Sequence, residues 1–154
     1  MNQDKKVIFL YYWKMLTSVV YDAQYEIVPE YRFGAMACGG TGKGVKARIK
    51  AAGLHDWRFD YAFPVLKVAV EVEGGVFVGG GHNRGAYYTD NCNKYNTAAS
   101  MNWLVFRFTP DMLNDNPDKC IRQVLEGLMA HEASLRKIRI TTANANKENA
   151  LCQS

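Results

Sequence analysis

The residues best suited to chemistry in this chain are three acids on two neighbouring β-type segments. Asp60 lies within Trp57–Phe63, and Glu71 and Glu73 lie within Lys67–Glu73. Alternate side chains of a strand share a face, so Glu71 and Glu73 point one way while Val70 and Val72 point the other. A hairpin turning at Pro64–Leu66 brings Asp60 close to Glu71. Carboxylates gathered on an apolar sheet repel one another and are costly to desolvate. A hard divalent cation, Mg²⁺ or Mn²⁺, relieves both penalties. The plainer reading is a solvated strand face, where acids are common. Against it stand the apolar neighbours Phe59, Ala62, Val68, Ala69, Val70 and Val72, and the Gly74-Gly75 pair, where backbone can approach a ligand closely.

Several cationic and imidazole side chains are candidates to work beside these acids. Lys94 follows Asp90 by one helical turn, which fits either a surface ion pair or a cation supplied to the site. His82 lies in the glycine-rich run Gly79–Gly85, where it is either solvated or an acid–base group beside the acids. Arg84, beside it, suits a phosphate grip. Lys43, Lys46, Arg48 and Lys50 form a basic loop that would clamp a DNA backbone, giving affinity without sequence reading, or would simply be solvated. Gly40-Thr41-Gly42-Lys43-Gly44 is not a nucleotide-binding P-loop, because Ala37 stands for its first glycine and Gly44 for the hydroxyl residue that would ligate Mg²⁺. His55 and His131 read as structural or solvent-facing, and Tyr87, Tyr88 and Tyr95 as core or amphipathic boundary. Cys38, Cys92, Cys120 and Cys152 are scattered without a Cys-x-x-Cys pair, which argues against a zinc knuckle and for a reduced, cytoplasmic compartment.

The elements that must position these groups follow from periodicity and punctuation. A helix is expected over Lys5–Ala23, with Phe9, Tyr12, Trp13, Leu16, Val19 and Val20 inward. A strand follows at Tyr25–Phe33. The glycines of Gly34–Gly44 predict irregular chain, with a short helix at Val45–Ala52. After the hairpin, Tyr87–Met101 reads as a helix ended by Asn102, and Trp103–Phe108 as a strand. Thr109 is a natural N-cap with Pro110 at the first helical position. A last helix opens at Asn116 or Asp118 and runs to about Lys137, with Ile121, Val124, Leu125, Leu128 and Met129 inward. The polar tail from Thr141 is expected to fray. The order helix, strand, strand, strand, helix, strand, helix predicts an α/β fold, a mixed sheet with helices packed against it.

At 154 residues and 48% hydrophobic, the chain suits one domain, residues 1–140, with a flexible tail at 141–154. The apolar run Val7–Trp13 is short and reads as core helix; no run is long enough to predict a membrane span. A net charge of +4 permits a polyanionic partner without requiring one.

A resemblance ties these pieces together. Arg58–Pro64, Lys67–Gly75, Gly81–Gly85, the Asp90-x-x-x-Lys94-Tyr95-Asn96 stretch and Trp103-x-Val105-x-Arg107-Phe108-Thr109 look like the PD-(D/E)XK nuclease superfamily. The likeness is to its small phage-borne and very-short-patch-repair-like branches, and it covers about residues 25 to 113. It implies an αβββαβ restriction-endonuclease-like core and a Mg²⁺- or Mn²⁺-dependent DNA endonuclease. Asp60 matches the motif aspartate and Glu71 the (D/E), with the backbone carbonyl of Val72 as a further metal ligand. The pattern departs at Glu73, where the usual lysine would stand. Some members carry that lysine on the following helix, which would be Lys94. Glu73 would then orient the attacking water or help hold a second ion, and Lys94 would stabilise developing negative charge. Glu30 matches an additional acid of some members, and dimerisation is a further implication. The altered lysine position also keeps a catalytically inactive DNA-binding or assembly module as an alternative.

Overall fold

The computed structural model describes residues 3–18, 25–74 and 84–151. In order these form α1 (Gln3–Leu16), β1 (Val28–Tyr31), α2 (Phe33–Ala37), α3 (Val45–Ala51), β2 (Phe59–Phe63), a 3₁₀ turn at Pro64–Leu66, β3 (Val68–Val72), α4 (Arg84–Ser100), β4 (Leu104–Phe108), α5 (Pro110–Asp115) and α6 (Pro117–Leu151). The strands make one mixed sheet in the order β1-β2-β3-β4. β2 pairs antiparallel with both β1 and β3, while β3 and β4 run parallel, with α4 as the crossover between them. The hairpin expected from Pro64 is present. Pro64 opens the turn, and Lys67 closes it at φ +51.

Every residue of β2 and β3 is buried, because helices cover both faces of the sheet. On one face Tyr61, Phe63, Val68, Val70, Val72 and Phe108 pack against Phe9 and Trp13 of α1, Leu113 of α5, and Ile121, Val124, Leu125 and Leu128 of α6. Each of the larger side chains there contributes roughly 1.5–3 kcal/mol relative to exposure. The other face is built differently: Ala62 and Ala69 meet Ala98 of α4, with Phe33 and Phe59 beside them and Trp57 and Trp103 at the margin. Those small residues leave room for α4 to lie close to the sheet.

Several expectations are corrected by this packing. Phe33–Ala37 is helical although Gly34 lies within it. Gly34 is there for proximity: a Cβ on it would fall 2.2 Å from the carbonyl oxygen of His55. The irregular chain begins only after α2, where Gly39 and Gly40 take φ values of +87 and +94. We expect Gly34→Ala to cost about 2–3 kcal/mol, since backbone must move to admit the methyl; urea denaturation measures it, and a loss below about 0.5 kcal/mol would show that the His55 segment yields freely. The strand predicted over Tyr25–Phe33 is confined to Val28–Tyr31. Met129, expected inward, is 56% exposed. The last helix does not stop near Lys137 but continues to Leu151, through the stretch expected to fray. Thr109 caps α5 as expected, its Oγ1 accepting from the Met112 N–H at 3.2 Å. Residues 19–23 of the first predicted helix lie outside the described residues. Among the described residues no helix is long and apolar enough to cross a membrane.

Candidate active site

Asp60 and Glu71 stand opposite each other where the β2–β3 ladder ends. The last paired residues are Tyr61 and Val70, and continuing that register sets Asp60 against Glu71. Beyond the last pair the Asp60 carboxylate takes over as acceptor: the Val72 N–H donates to Asp60 Oδ2 at 2.8 Å. The strand is irregular here. Phe59, which strict alternation would place with Tyr61 and Phe63, instead stacks on Phe33 at 4.2 Å between centroids, on the α4 side. On the neighbouring strand Glu30 lies between the pairs Pro29–Tyr61 and Tyr31–Phe59, hence across from Asp60, and adopts φ +50. A left-handed conformation in a non-glycine strand residue is strained, and such strain persists where the surroundings over-determine it. Glu30 itself is exposed.

The electrostatics of the pair are unusual. Asp60 and Glu71 are only 6% and 7% exposed. Burial pushes the Glu71 carboxyl up from 4.5 to about 7, even though Lys94 pulls it down, and the charges of Asp60 and Glu73 push it further up. Lys94 Nζ donates to Glu71 Oε1 at 2.5 Å, and it lies 5.7 Å from the centroid of Phe59 and 5.6 Å from that of Tyr95. Lys94 is therefore paired with Glu71 on the sheet and not with Asp90 on its own helix. Its expected surface partner Asp90 is engaged elsewhere, accepting from Trp57 Nε1 at 3.1 Å and lying 3.2 Å from His55 Nδ1.

Glu73 shares the Glu71 side of the sheet but is drawn toward β4. Its Oε1 accepts from Tyr95 Oη at 3.0 Å and from Arg107 Nε at 2.6 Å. The Arg107 guanidinium lies 4.3 Å over the Tyr95 ring. Burial above all, and then the carboxylates of Glu71 and Glu73, raise the Tyr95 pKa and hold the phenol protonated, so that it donates to Glu73. Among the described residues no group of three or more His, Cys, Asp or Glu side chains is disposed to hold one metal ion. Tyr95 and Arg107 thus hold Glu73 beside Asp60 and Glu71.

Tyr95 and Arg107 were not expected in the site. Tyr95 reads as a boundary aromatic from helical spacing alone. Arg107 becomes a neighbour only once the parallel register sets it beside Glu71, and parallel register cannot be read from a single strand. The basic loop also changes character. Arg48 is not displayed to solvent but ties the loop together, donating to the carbonyls of Cys38 at 2.7 Å, Gly40 at 2.8 Å and Lys43 at 2.6 Å. Lys43, Lys46 and Lys50 are exposed. His82 lies outside the described residues, as does the side chain of Arg84. His55 and His131 follow the structural reading; His131 Nδ1 meets the Leu66 carbonyl at 3.0 Å.

The donor chemistry suits a hard cation. Two buried carboxylates face each other, and burial pushes Glu71 toward its neutral form even with Lys94 attached. A divalent ion supplies positive charge, and carboxylate oxygens are the ligands it prefers. Comparison with protein-family models, with curated proteins and with solved structures gives no match.

Proposed function

We propose that this chain is a divalent-metal-dependent deoxyribonuclease with a PD-(D/E)XK-type, restriction-endonuclease-like core, hydrolysing phosphodiester bonds at the C-terminal end of β3. The observation that carries the reading is the buried Asp60–Glu71 pair with Lys94 on Glu71. The α, β, β, β, α, β order of the main elements, with antiparallel β2–β3 and parallel β3–β4, agrees with it.

In this reading Asp60, Glu71 and the Val72 carbonyl hold Mg²⁺ or Mn²⁺, which when bound supplies Lewis acidity toward the phosphate and lowers the pKa of water. The chain's own groups do the remainder. The Val72 N–H fixes the rotamer of Asp60. Lys94 moves between the Glu71 carboxylate and the phosphate oxygens, where it stabilises the charge that grows during displacement. Arg107 and Tyr95 hold Glu73 at the rim, where it orients water. Lys43, Lys46 and Lys50 attract the DNA backbone.

The test is incubation with nicked, branched, mismatched and continuous duplex DNA in Mg²⁺ or Mn²⁺, with cut positions mapped. Cleavage that chelator abolishes is expected; no cleavage of any of these substrates would sink the reading. One observation favours a second function, a DNA-binding or assembly module without catalysis: Glu73 stands where the motif lysine would, and it is tied up by Tyr95 and Arg107. Calorimetric titration separates the two readings, because the module takes up no divalent ion that Asp60→Asn abolishes.

A further inference from the structure

Beside the carboxylates, on the β4 side of α4, lies a cleft of about 260 Å³ lined by Tyr88, Asn91, Cys92, Tyr95, Asn96 and Arg107. Tyr88, Asn91, Cys92 and Tyr95 follow one another at helical spacing, so α4 presents them along one face. Asp90, Lys94 and Ala98 occupy a different face, turned to Trp57, Glu71 and the sheet. The helix thus serves two sites, the acids on one side and the cleft on the other. Tyr95 and Arg107 join them, since both line the cleft and both hold the Glu73 carboxylate.

The lining has a definite chemistry. Its six lining residues bring two phenols, two carboxamides, one thiol and one guanidinium, and no carboxylate. Aromatic rings are the surfaces on which unstacked bases settle, and here the open ring is that of Tyr88, because the Arg107 guanidinium already covers the Tyr95 ring at 4.3 Å. Asparagine offers a donor and an acceptor side by side, the pattern that reads a base edge. The volume is below the roughly 300–1,000 Å³ usual for small-molecule sites, which suits one heterocycle better than a whole nucleotide. Tyr88 is 71% exposed at the mouth, a large aromatic surface with little packing of its own.

We propose that this cleft receives one unpaired nucleobase of the DNA, from the nucleotide next to the phosphate that would sit at the divalent-ion site of the carboxylates. The inference rests on the nuclease reading and narrows its substrate: DNA with an unpaired nucleotide beside the cut. A base in an uninterrupted stack cannot enter a cleft walled by α4 and β4, so continuous duplex must first give up a base, at a cost in binding.

The test uses the full chain carrying Glu71→Gln, so that binding is measured without cutting. Three otherwise identical duplexes are compared: fully paired, with one extra unpaired nucleotide, and with one extra abasic residue. The unpaired base is expected to bind at least about tenfold tighter than either of the others, the scale of one base–aromatic stack. With 2-aminopurine as the extra base, binding should change its fluorescence. Adding Tyr88→Ala or Asn91→Ala should bring the ratio of base to abasic affinity to about one; Tyr88 is exposed enough for its truncation to leave the fold intact. Equal affinity for the base and the abasic residue overturns the proposal, since only bending of the DNA is then recognised. The same duplexes are given to the wild-type protein with Mg²⁺. Cleavage without base preference removes the cleft inference alone, and base preference without cleavage removes the nuclease reading alone.

Discussion

Replacing Glu71 with glutamine is expected to lower DNA cleavage by about three orders of magnitude or more, while the protein still folds near neutral pH. Both halves follow from one fact. Glu71 is a carboxylate buried to 7% exposure, close to the acid across the hairpin and pushed up to about 7 by that burial. Glutamine keeps its shape, and its Oε1 can still accept from Lys94 Nζ, so packing is preserved. The change removes a buried charge whose desolvation opposes folding, together with the charge a divalent ion needs. Lys94→Met should be milder for cutting, about 10²–10³-fold, because it removes stabilisation of developing charge and leaves both carboxylates. It should be harsher for stability, since Glu71 loses its hydrogen-bonded cation. Glu73→Gln should cost cleavage least of the three, as its carboxylate is already committed to Tyr95 and Arg107. Single-turnover rates with saturating Mn²⁺, beside urea melts, read out both effects. A Glu71→Gln protein that cuts at nearly the wild-type rate would remove the acids from the chemistry.

This ranking could be drawn only in part from the sequence. The Val68–Val72 run stands between a proline turn and a glycine pair, and alternation in such a run fixes which side Glu71 occupies. The hairpin followed from spacing, and the opposition of Asp60 to Glu71 followed from the hairpin. Thr109 and Pro110 announced their helix because capping is local chemistry. What stayed hidden depends on contacts between distant segments. Phe59 leaves the Tyr61 side because Phe33, 26 positions earlier, offers a ring to stack on. Gly34 looks like a breaker until the His55 carbonyl is seen against it. Glu73 shows no partner until the parallel register delivers Arg107 to it. Arg48 looks like a phosphate contact until three loop carbonyls are found around it. In each case the residue type was informative and its partner was not.

The acids also give the protein a pH dependence that runs opposite to the common one. Glu71 holds its proton up to about pH 7 in the folded chain, against an ordinary value of 4.5. Between those values the folded state binds one proton more than the unfolded state. Raising the pH through this window therefore favours unfolding, and the ion-free protein should lose up to about 3 kcal/mol of stability from this group before levelling off. Asp56 does not mask the effect. Its Arg32 partner holds it below its ordinary 3.8, so its contribution is lost only at more acid pH. Mg²⁺ or Mn²⁺ should reverse the trend. The ion binds the ionised carboxylates of the folded chain, and a hundredfold excess over its dissociation constant restores about 2.7 kcal/mol. The restoration should be large at pH 8 and small at pH 5, where a proton must first leave Glu71. Urea melts across that range, with and without the ion, are the measurement, and Glu71→Gln is the control that should flatten the profile and abolish the ion effect. A wild-type profile with the same slope as that of the variant would mean that Glu71 titrates like an exposed acid, and the case for a buried, cation-seeking pair would go with it.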